Sequence, residues 1–393
     1  MAQHPIKYLV SACTVVLMVV MLGTSFHNPS GVVSSNQGNS GKTIAATSLG
    51  PQMKEDHPLE QARKNIQVLK GVPESQLFPT MNFMCSALGV NCAHCHVATG
   101  NEFEWDKDDK SAKKTARQMI QMVFDINEKN FKGRTEVTCY TCHRGQADPI
   151  SVVQLPVPKT TPEEEETEHA IDTTITVDSV LNRYVTALGG KSAIEKCSTR
   201  VLKGSVIMAD GPGMPLEIYE KAPDKYVETV TRPNQGTSSQ GFDGTTGWAP
   251  GRKGYRQITG ADLDQLKLDA DFYRDIKFKE LYANLRFRGK EKVGNRETYL
   301  LVATAGHDKF ERFYFDIQSG LLVRTLLLTQ IKLGRIPQQT DYEDYQVVDG
   351  IDIPMTVHHS SIDARNESTY KFTEVRHNVA VGDEKFMMPS ESH

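Results

Sequence analysis

Leu88-Gly89-Val90-Asn91-Cys92-Ala93-His94-Cys95-His96 and, further along, Thr138-Cys139-Tyr140-Thr141-Cys142-His143-Arg144-Gly145 each carry the pattern C-x-x-C-H. That spacing is the attachment signature of a c-type haem. Two thiols three residues apart reach the two vinyl groups of one porphyrin, and the histidine that follows is held beneath the iron as axial ligand. The expected anchors are therefore Cys92, Cys95, Cys139 and Cys142, with His96 and His143 as proximal iron ligands of two covalently bound c-type haems. A four-cysteine zinc site is the nearest alternative. Zinc ribbons separate their cysteine pairs by about 15–20 residues, whereas 43 residues lie between Cys95 and Cys139. A dithiol redox pair would need no histidine after each motif.

A helix is expected ahead of each motif. Pro79 suits a first helical turn, and Gly89 stops the run at Leu88. Lys110–Asn130 reads as a longer helix ended by Gly133, with Ala112, Ala116, Met119 and Val123 on one face. A further helix is expected over Pro58–Leu69, stopped at Gly71. Met81 and Met84 precede the first motif, and Met119 and Met122 precede the second. A methionine projecting from a helix can lie over the haem face opposite histidine, and thioether ligation raises the iron's potential. Methionine also fills cores. His57 and His94 are rival sixth ligands, although His94 sits between two thiols and should point away from the iron.

Working outward, 393 residues suggest two or three domains. A net charge of −4 gives no basic excess, which argues against a nucleic-acid binder. A mean hydropathy of −0.43 excludes a polytopic membrane protein. One stretch, Tyr8–Leu22, is apolar and uncharged, and Lys7 precedes it. Its length fits a secretory h-region better than a bilayer span. Residues 1–23 are thus expected to be an export signal, cleaved or kept as a membrane anchor. Residues 24–56 read as a flexible linker and 57–150 as an all-α dihaem domain. Residues 151–175, with Pro156, Pro158, Pro162 and the run Glu163–Glu166, read as a second linker. Of the other cysteines, Cys13 lies in the signal, and Cys85 and Cys197 remain.

Residues 176–393 read as an α+β domain. Asp178 opens a helix through Leu188, stopped by Gly189-Gly190, and Ser192–Cys197 forms a short turn. Strands are expected over Arg200–Met208, Leu216–Tyr219, Lys225–Thr231, Glu297–Thr304, Phe310–Phe315, Leu321–Gln330 and Thr369–Val375. Turn signals such as Asp243-Gly244, Ser319-Gly320 and Asp349-Gly350 separate them. Trp248 is expected in the core. His358 and His359 are adjacent in a strand and must face opposite ways, so they make no metal site. The segment Glu102–Lys110 reads as a solvated loop.

The two motifs, with Thr115–Met122 (TARQMIQM), resemble the tetrahaem cytochrome subunit of photosynthetic reaction centres. The resemblance covers about a quarter of the chain, residues 57–150. That family builds four haems, as two pairs, from helix–loop–C-x-x-C-H units and donates electrons to the photo-oxidised pigment pair. Most of its haems take a helical methionine as sixth ligand, about 10–20 residues ahead of the first cysteine. Met81 and Met119 are the residues this implies as distal ligands, with Met84 and Met122 as fallbacks. Only one haem pair is present here. The second domain resembles the outer-membrane lipoprotein-sorting or carrier fold, through Gly204, Asp243–Trp248, Tyr314–Leu322 and Tyr345–Pro354. That resemblance implies a half-open antiparallel β-barrel.

Together these readings give a multidomain chain in which an N-terminal dihaem cytochrome c domain is fused to a half-open β-barrel. The expected role is an exported electron carrier rather than an enzyme. It would be periplasmic or tethered to the inner membrane, and would work between a redox donor and an acceptor such as a reaction centre or a respiratory complex. Two alternatives stay open. One is a peroxidase-like haem enzyme, which needs an open iron. The other is a lipid- or lipoprotein-binding module with auxiliary haems, which needs a large apolar concavity.

Overall fold

The computed structural model describes residues 56–99, 102–149, 174–208, 211–233, 235–251, 254–304, 309–363 and 366–389. The apolar run at 8–22, the tether up to residue 55 and linker residues 151–173 lie outside them. The described residues fall into two compact units, one helical and one built on a sheet.

The helical unit holds α1 (Leu59–Ala62), α2 (Leu77–Leu88), α3 (Cys92–Cys95), α4 (Ser111–Phe131) and α5 (Cys139–His143). It also holds a short hairpin, β1 (Val97–Thr99) and β2 (Glu102–Glu104), so the all-α expectation is corrected. The solvated loop expected from Glu102 is in part the second strand of that hairpin. The helix expected over Pro58–Leu69 shrinks to α1. Arg63 is extended, and Asn65 is left-handed at φ 57°. The Asn65 amide donates to the Asp106 carbonyl (2.6 Å) and to Asp108 (2.9 Å). Tertiary hydrogen bonds there override helix propensity. Helices α2 and α4 lie where the sequence places them. Pro79 falls in the first turn of α2, where its missing N–H costs nothing.

The second unit opens with α6 (Val177–Ala187) and α7 (Lys191–Glu195). The Thr176 side chain caps α6 by accepting from the Ser179 N–H. A first meander follows: β3 (Thr199–Met208), β4 (Met214–Lys221), β5 (Lys225–Arg232), β6 (Gly236–Phe242), β7 (Gly247–Pro250) and β8 (Tyr255–Ile258). Helices α8 (Ala261–Ala270) and α9 (Phe278–Leu281) then carry the chain to the far edge. A second meander returns: β9 (Ala283–Val293), β10 (Arg296–Thr304), β11 (Lys309–Asp316), β12 (Leu322–Ile331), β13 (Gly334–Val348), β14 (Ile351–Ser361) and β15 (Ser368–His377). Strand β15 pairs antiparallel with β3, from Ser368 opposite Met208 to His377 opposite Arg200. One 13-stranded sheet results, with β8 and β9 as its two edges. The sheet is open rather than closed. The edge strand β9 exposes Arg286, Arg288, Lys290 and Lys292, and charge of this kind blunts edge-to-edge pairing.

Side chains of α6 (Val180, Leu181, Tyr184) and of the 272–282 segment (Phe272, Phe278, Tyr282) share one core cluster with Leu301, Phe313 and Phe315 of the sheet. Trp248 is buried as expected, its indole N–H donating to the Phe386 carbonyl (2.9 Å). The core is not purely apolar. Glu228 is 1% exposed and accepts hydrogen bonds from the Tyr226 and Tyr370 hydroxyls (2.7 and 3.2 Å). Burial pushes its carboxyl up to about 8 against those hydrogen bonds. Asp269 pairs with Arg274 (2.9 Å), and burial raises Asp269 to about 6 and Glu311 to about 7. His359 packs on Tyr370, and burial holds it neutral, at about 4.

An acid whose folded pKa is raised holds its proton better in the native state, so stability falls as pH rises from the unfolded value towards the folded one. For Glu228 that window runs from its ordinary 4.5 to about 8. Glu228→Gln keeps both tyrosine contacts without the charge. It should raise the melting temperature of the sheet unit at pH 8 and flatten the decline between pH 5 and 8. Thermal melts of the full chain across that range check this. An unchanged melting temperature at pH 8 would mean that Glu228 ionises at little cost.

Candidate functional site

Each C-x-x-C-H forms a single helical turn. Asn91 caps the first, its side chain accepting from the Ala93 N–H (3.0 Å). Thr138 caps the second, its own N–H donating to the Thr141 hydroxyl (3.0 Å). One turn of helix places residues i and i+3 on the same side, so Cys92 and Cys95, like Cys139 and Cys142, are presented together. None of these four thiols is in a disulfide. No cluster of three or more metal-ligating side chains occurs among the described residues.

What brings the two turns together is a backbone contact. Gly89, three residues before Cys92, caps α2 in the left-handed conformation (φ 65°). A Cβ at that position would lie 2.0 Å from the Gly145 carbonyl oxygen. The Gly145 N–H donates to the Ala87 carbonyl (2.9 Å). The end of α2 is thus stitched to the residues just past the second motif, and α2 packs on α5 while α4 packs on α3. Asn127, buried in α4, fixes the approach to the second motif. Its amide donates to the Val137 carbonyl (2.7 Å), and its oxygen accepts from the Glu136 and Val137 N–H groups (3.1 and 2.9 Å).

The two histidines stand in different surroundings. His143 is half-buried, and its Nδ1 lies 3.0 Å from the Gln146 carbonyl. A carbonyl can only accept, so Nδ1 carries the proton and Nε2 keeps its lone pair for a metal. His96 is half-buried. The Trp105 ring packs edge-on against it at 5.0 Å, and Phe103 stacks on Trp105 at 4.7 Å. Burial and the Lys113 ammonium lower its pKa. The Trp105 backbone opposes that shift, yet Nδ1 makes no hydrogen bond of ordinary geometry. Lys113 donates to the Trp105 and Lys107 carbonyls (2.8 and 2.6 Å), and Lys110 donates to the Ala93 carbonyl inside the first turn. Asp108 accepts from Arg117 (2.7 Å) and pairs with Lys113 (3.1 Å), which holds its carboxyl well below the usual range.

The methionines line up in a common way. On α2 the buried stripe is Thr80, Phe83 and Ala87, and Met81, Met84 and Leu88 run beside it. On α4 the buried stripe is Ile120, Val123 and Asn127, and Met119, Met122 and Ile126 run beside it. The face expected through Ala112, Ala116, Met119 and Val123 is therefore rotated by about one residue. Met119 and Met122 are 37% and 42% exposed, and Met81 and Met84 are half-buried. None of the four belongs to the core. The donor set fits a c-type haem: paired thiols on one turn, an imidazole with a free Nε2, and thioethers held outside the packing. His57, the other rival sixth ligand, is exposed. Sequence reading did not single out Asn127, Trp105 or Lys113. The aromatic pair Phe103 and Trp105 just after the first motif was the available signal.

Comparison with known proteins sets this geometry in context. Residues 22–188 match the family model described as photosynthetic reaction centre cytochrome C subunit. The photosynthetic reaction center cytochrome c subunit of Thermochromatium tepidum is 36% identical over 109 residues, 27% of this chain and 24% of that protein. The subunit of the same name from Roseobacter denitrificans is 32% identical over 96 residues, 23% of this chain and 26% of that one. The chain spans about a quarter of the length of these curated relatives. Among solved structures, a LolA superfamily protein from Nitrosomonas europaea is 12% identical, with a TM-score of 0.39, covering 54% of this chain and 98% of its own. A putative outer membrane lipoprotein-sorting protein domain from Vibrio parahaemolyticus is also 12% identical, with a TM-score of 0.41, covering 53% and 96%.

Gly89→Ala would force a side chain into the Gly145 carbonyl and place an L-residue at positive φ, costing about 1–2 kcal/mol for the backbone alone. Denaturant unfolding of the helical unit within the full chain should show a loss above that figure. Asn127→Ala strands the Val137 carbonyl and two N–H groups, and should cost about 1–3 kcal/mol by the same measurement.

Proposed function

We propose that this chain is an exported dihaem c-type cytochrome that transfers electrons, comparable to the cytochrome subunit that serves the photosynthetic reaction centre. The observation that carries the reading is the pairing of two C-x-x-C-H turns through the Gly89–Gly145 contact. An electron carrier needs its redox groups close together and needs no substrate pocket. Cys92 and Cys95 would hold one haem and Cys139 and Cys142 the other, both through thioether bonds. His96 and His143 would ligate the irons through Nε2. Met81 and Met119 would complete the coordination, with Met84 and Met122 next to them on the same stripes. The bound haems would supply one-electron couples, while the protein sets their positions and surroundings.

The helical unit spans 57–150 and the sheet unit 176–393 in this proposal, with linkers at 24–56 and 151–175. Residues 1–23 direct export and leave the protein periplasmic, either free or anchored at the inner membrane. No described helix is long and apolar enough to cross a membrane. The partners are a one-electron donor and an acceptor, the acceptor being a reaction centre or a respiratory complex. Methionines outside the core on both helices favour closed irons over the peroxidase-like alternative. The buried Glu228 and Glu311 give the sheet unit's core a polar content that an acyl carrier does not require.

Protein matured in a haem-attaching host should give a reduced c-type α band that carbon monoxide leaves unchanged. Lack of that band would sink the haem reading. A clear carbon monoxide shift would mean an open iron and favour an enzyme. Met81→Ala or Met119→Ala should each open one iron, so that carbon monoxide shifts about half of the band. If Met119→Ala leaves the spectrum closed while Met122→Ala opens it, the ligand is the neighbouring methionine.

A further inference from the structure

We propose that the free edge strand β9 is a docking surface for the chain's own acidic run, Glu163–Glu166 with Glu168, which lies antiparallel beside it and pairs its carboxylates with the cations of the edge. The pairing stands whether or not haem is bound.

Strand β9 (Ala283–Val293) ends the 13-stranded sheet, and β10 is its one strand partner among the described residues. One side of its backbone is therefore open to an added strand. Arg286, Arg288, Lys290 and Lys292 are all exposed. Glu291 is the single carboxylate of the strand, and Glu297 stands opposite Lys292. No ion pair holds any of the four cations among the described residues. Two β9 edges would bring like charges together, which disfavours pairing of two copies through this strand.

The register sets these cations on both faces of the sheet. Phe287 pairs with Leu301 and Gly289 with Leu300, so the bulge falls at Arg288. A bulge adds one residue and switches the faces beyond it. Arg286 shares the face of Val302, whereas Lys290 and Lys292 stand on the opposite face. There the Lys290 ammonium lies 6.0 Å from the centre of the Tyr299 ring. An extended occupant of this edge needs carboxylates on both of its own faces. Successive side chains of an extended chain alternate between faces, so consecutive acids meet that need. Glu163–Glu166 is the longest acidic run in the chain, and Glu168 follows it.

The run is also within reach. The described chain resumes at Thr174, just ahead of α6. Asp178, in the first turn of α6, pairs with Lys279 (2.9 Å), which lies shortly before Ala283 at the start of β9. Glu168 is six residues ahead of Thr174, a span of about 20 Å when extended. A segment running back from Thr174 along β9 travels antiparallel to it and passes Arg286 first and Lys292 last. Glu168 then stands by Arg286, and Glu163–Glu166 by Arg288, Lys290 and Lys292. Pro162 comes after them, and proline, having no N–H, can end an edge pairing without losing a ladder bond. Each exposed ion pair is weak singly, but the short tether keeps the run at a high effective concentration near the edge.

The test is zero-length carbodiimide coupling of the full chain at low salt, read by peptide mapping. Lys290 or Lys292 should be joined to a carboxylate within Glu163–Glu168 in monomeric product, and high salt should reduce the yield several-fold. Glu166→Arg with Glu168→Arg, substitutions outside the described sheet, should lower coupling of the remaining glutamates to a similar extent. Adding Arg286→Glu with Arg288→Glu should restore it. Absence of the link, a link found solely between two chains, or a yield that neither salt nor the Glu166→Arg, Glu168→Arg pair lowers would each overturn the docking. So would cosedimentation of the unaltered chain with phosphatidylglycerol vesicles that Arg286→Glu with Arg288→Glu abolishes, if no link forms, because the edge would then serve a lipid surface.

Discussion

The helical unit depends on the absence of one methyl group. Gly89 turns the chain out of α2 with a positive φ, and the space where its Cβ would stand is taken by the Gly145 carbonyl oxygen. That contact joins the stretch before the first motif to the stretch after the second. Packing of α2 on α5 and of α4 on α3 follows the same arrangement. Among the described residues between 57 and 149, few apolar side chains are buried, namely Leu59, Leu69, Val72, Phe83, Ala87, Ile120 and Val123. A unit of this size with so small a core is marginal by itself, and small domains of this kind commonly use a covalent or metal-held group as part of their interior.

Local chemistry was legible in the sequence, and tertiary chemistry was not. The motif turns, α2 with its Pro79 and Gly89, and α4 with its end near Gly133 all follow from rules that act within a few residues. Helix α1 broke that pattern because Asn65 is held by Asp106 and Asp108, more than 40 residues away. The face of α4 was misread by about one residue because its buried stripe contains Asn127, a polar side chain that periodicity assigns to solvent. Its three hydrogen bonds to the 136–137 backbone make burial affordable. The same limit explains β9, whose alternating arginines and lysines hide a strand, and the first hairpin, whose glutamates read as a solvated loop.

In the sheet unit, alternation found β3, β4, β5, β10, β11, β12 and β15 but not the central β13 and β14, and turn residues found several of the connections. Neither could reveal the buried acids. Glu228 sits on the same strand face as the core residue Val230, and Glu311 on the same face as Phe313 and Phe315. Each looks from sequence like an ordinary polar position. Glu228 is tolerated through Tyr226 on its own strand and Tyr370 from the distant β15, and Glu311 through Tyr282 and Arg274, which oppose the upward shift that burial imposes. His358 and His359 divide as strand geometry requires, one near Glu343 and the other packed against Tyr370.

The sheet's connectivity also orders events in time. Strand β3 is made early, but one of its two neighbours is β15, which ends at His377. Closing a loop of that length carries an entropic cost that must be met before the pairing stabilises anything. Every contact within 57–149, by contrast, is available once residue 149 has emerged. A chain delivered from its N-terminus therefore presents a finished pair of C-x-x-C-H turns while the sheet is still incomplete. In the dihaem reading proposed above, attachment at the four cysteines would run ahead of the slower half of the molecule.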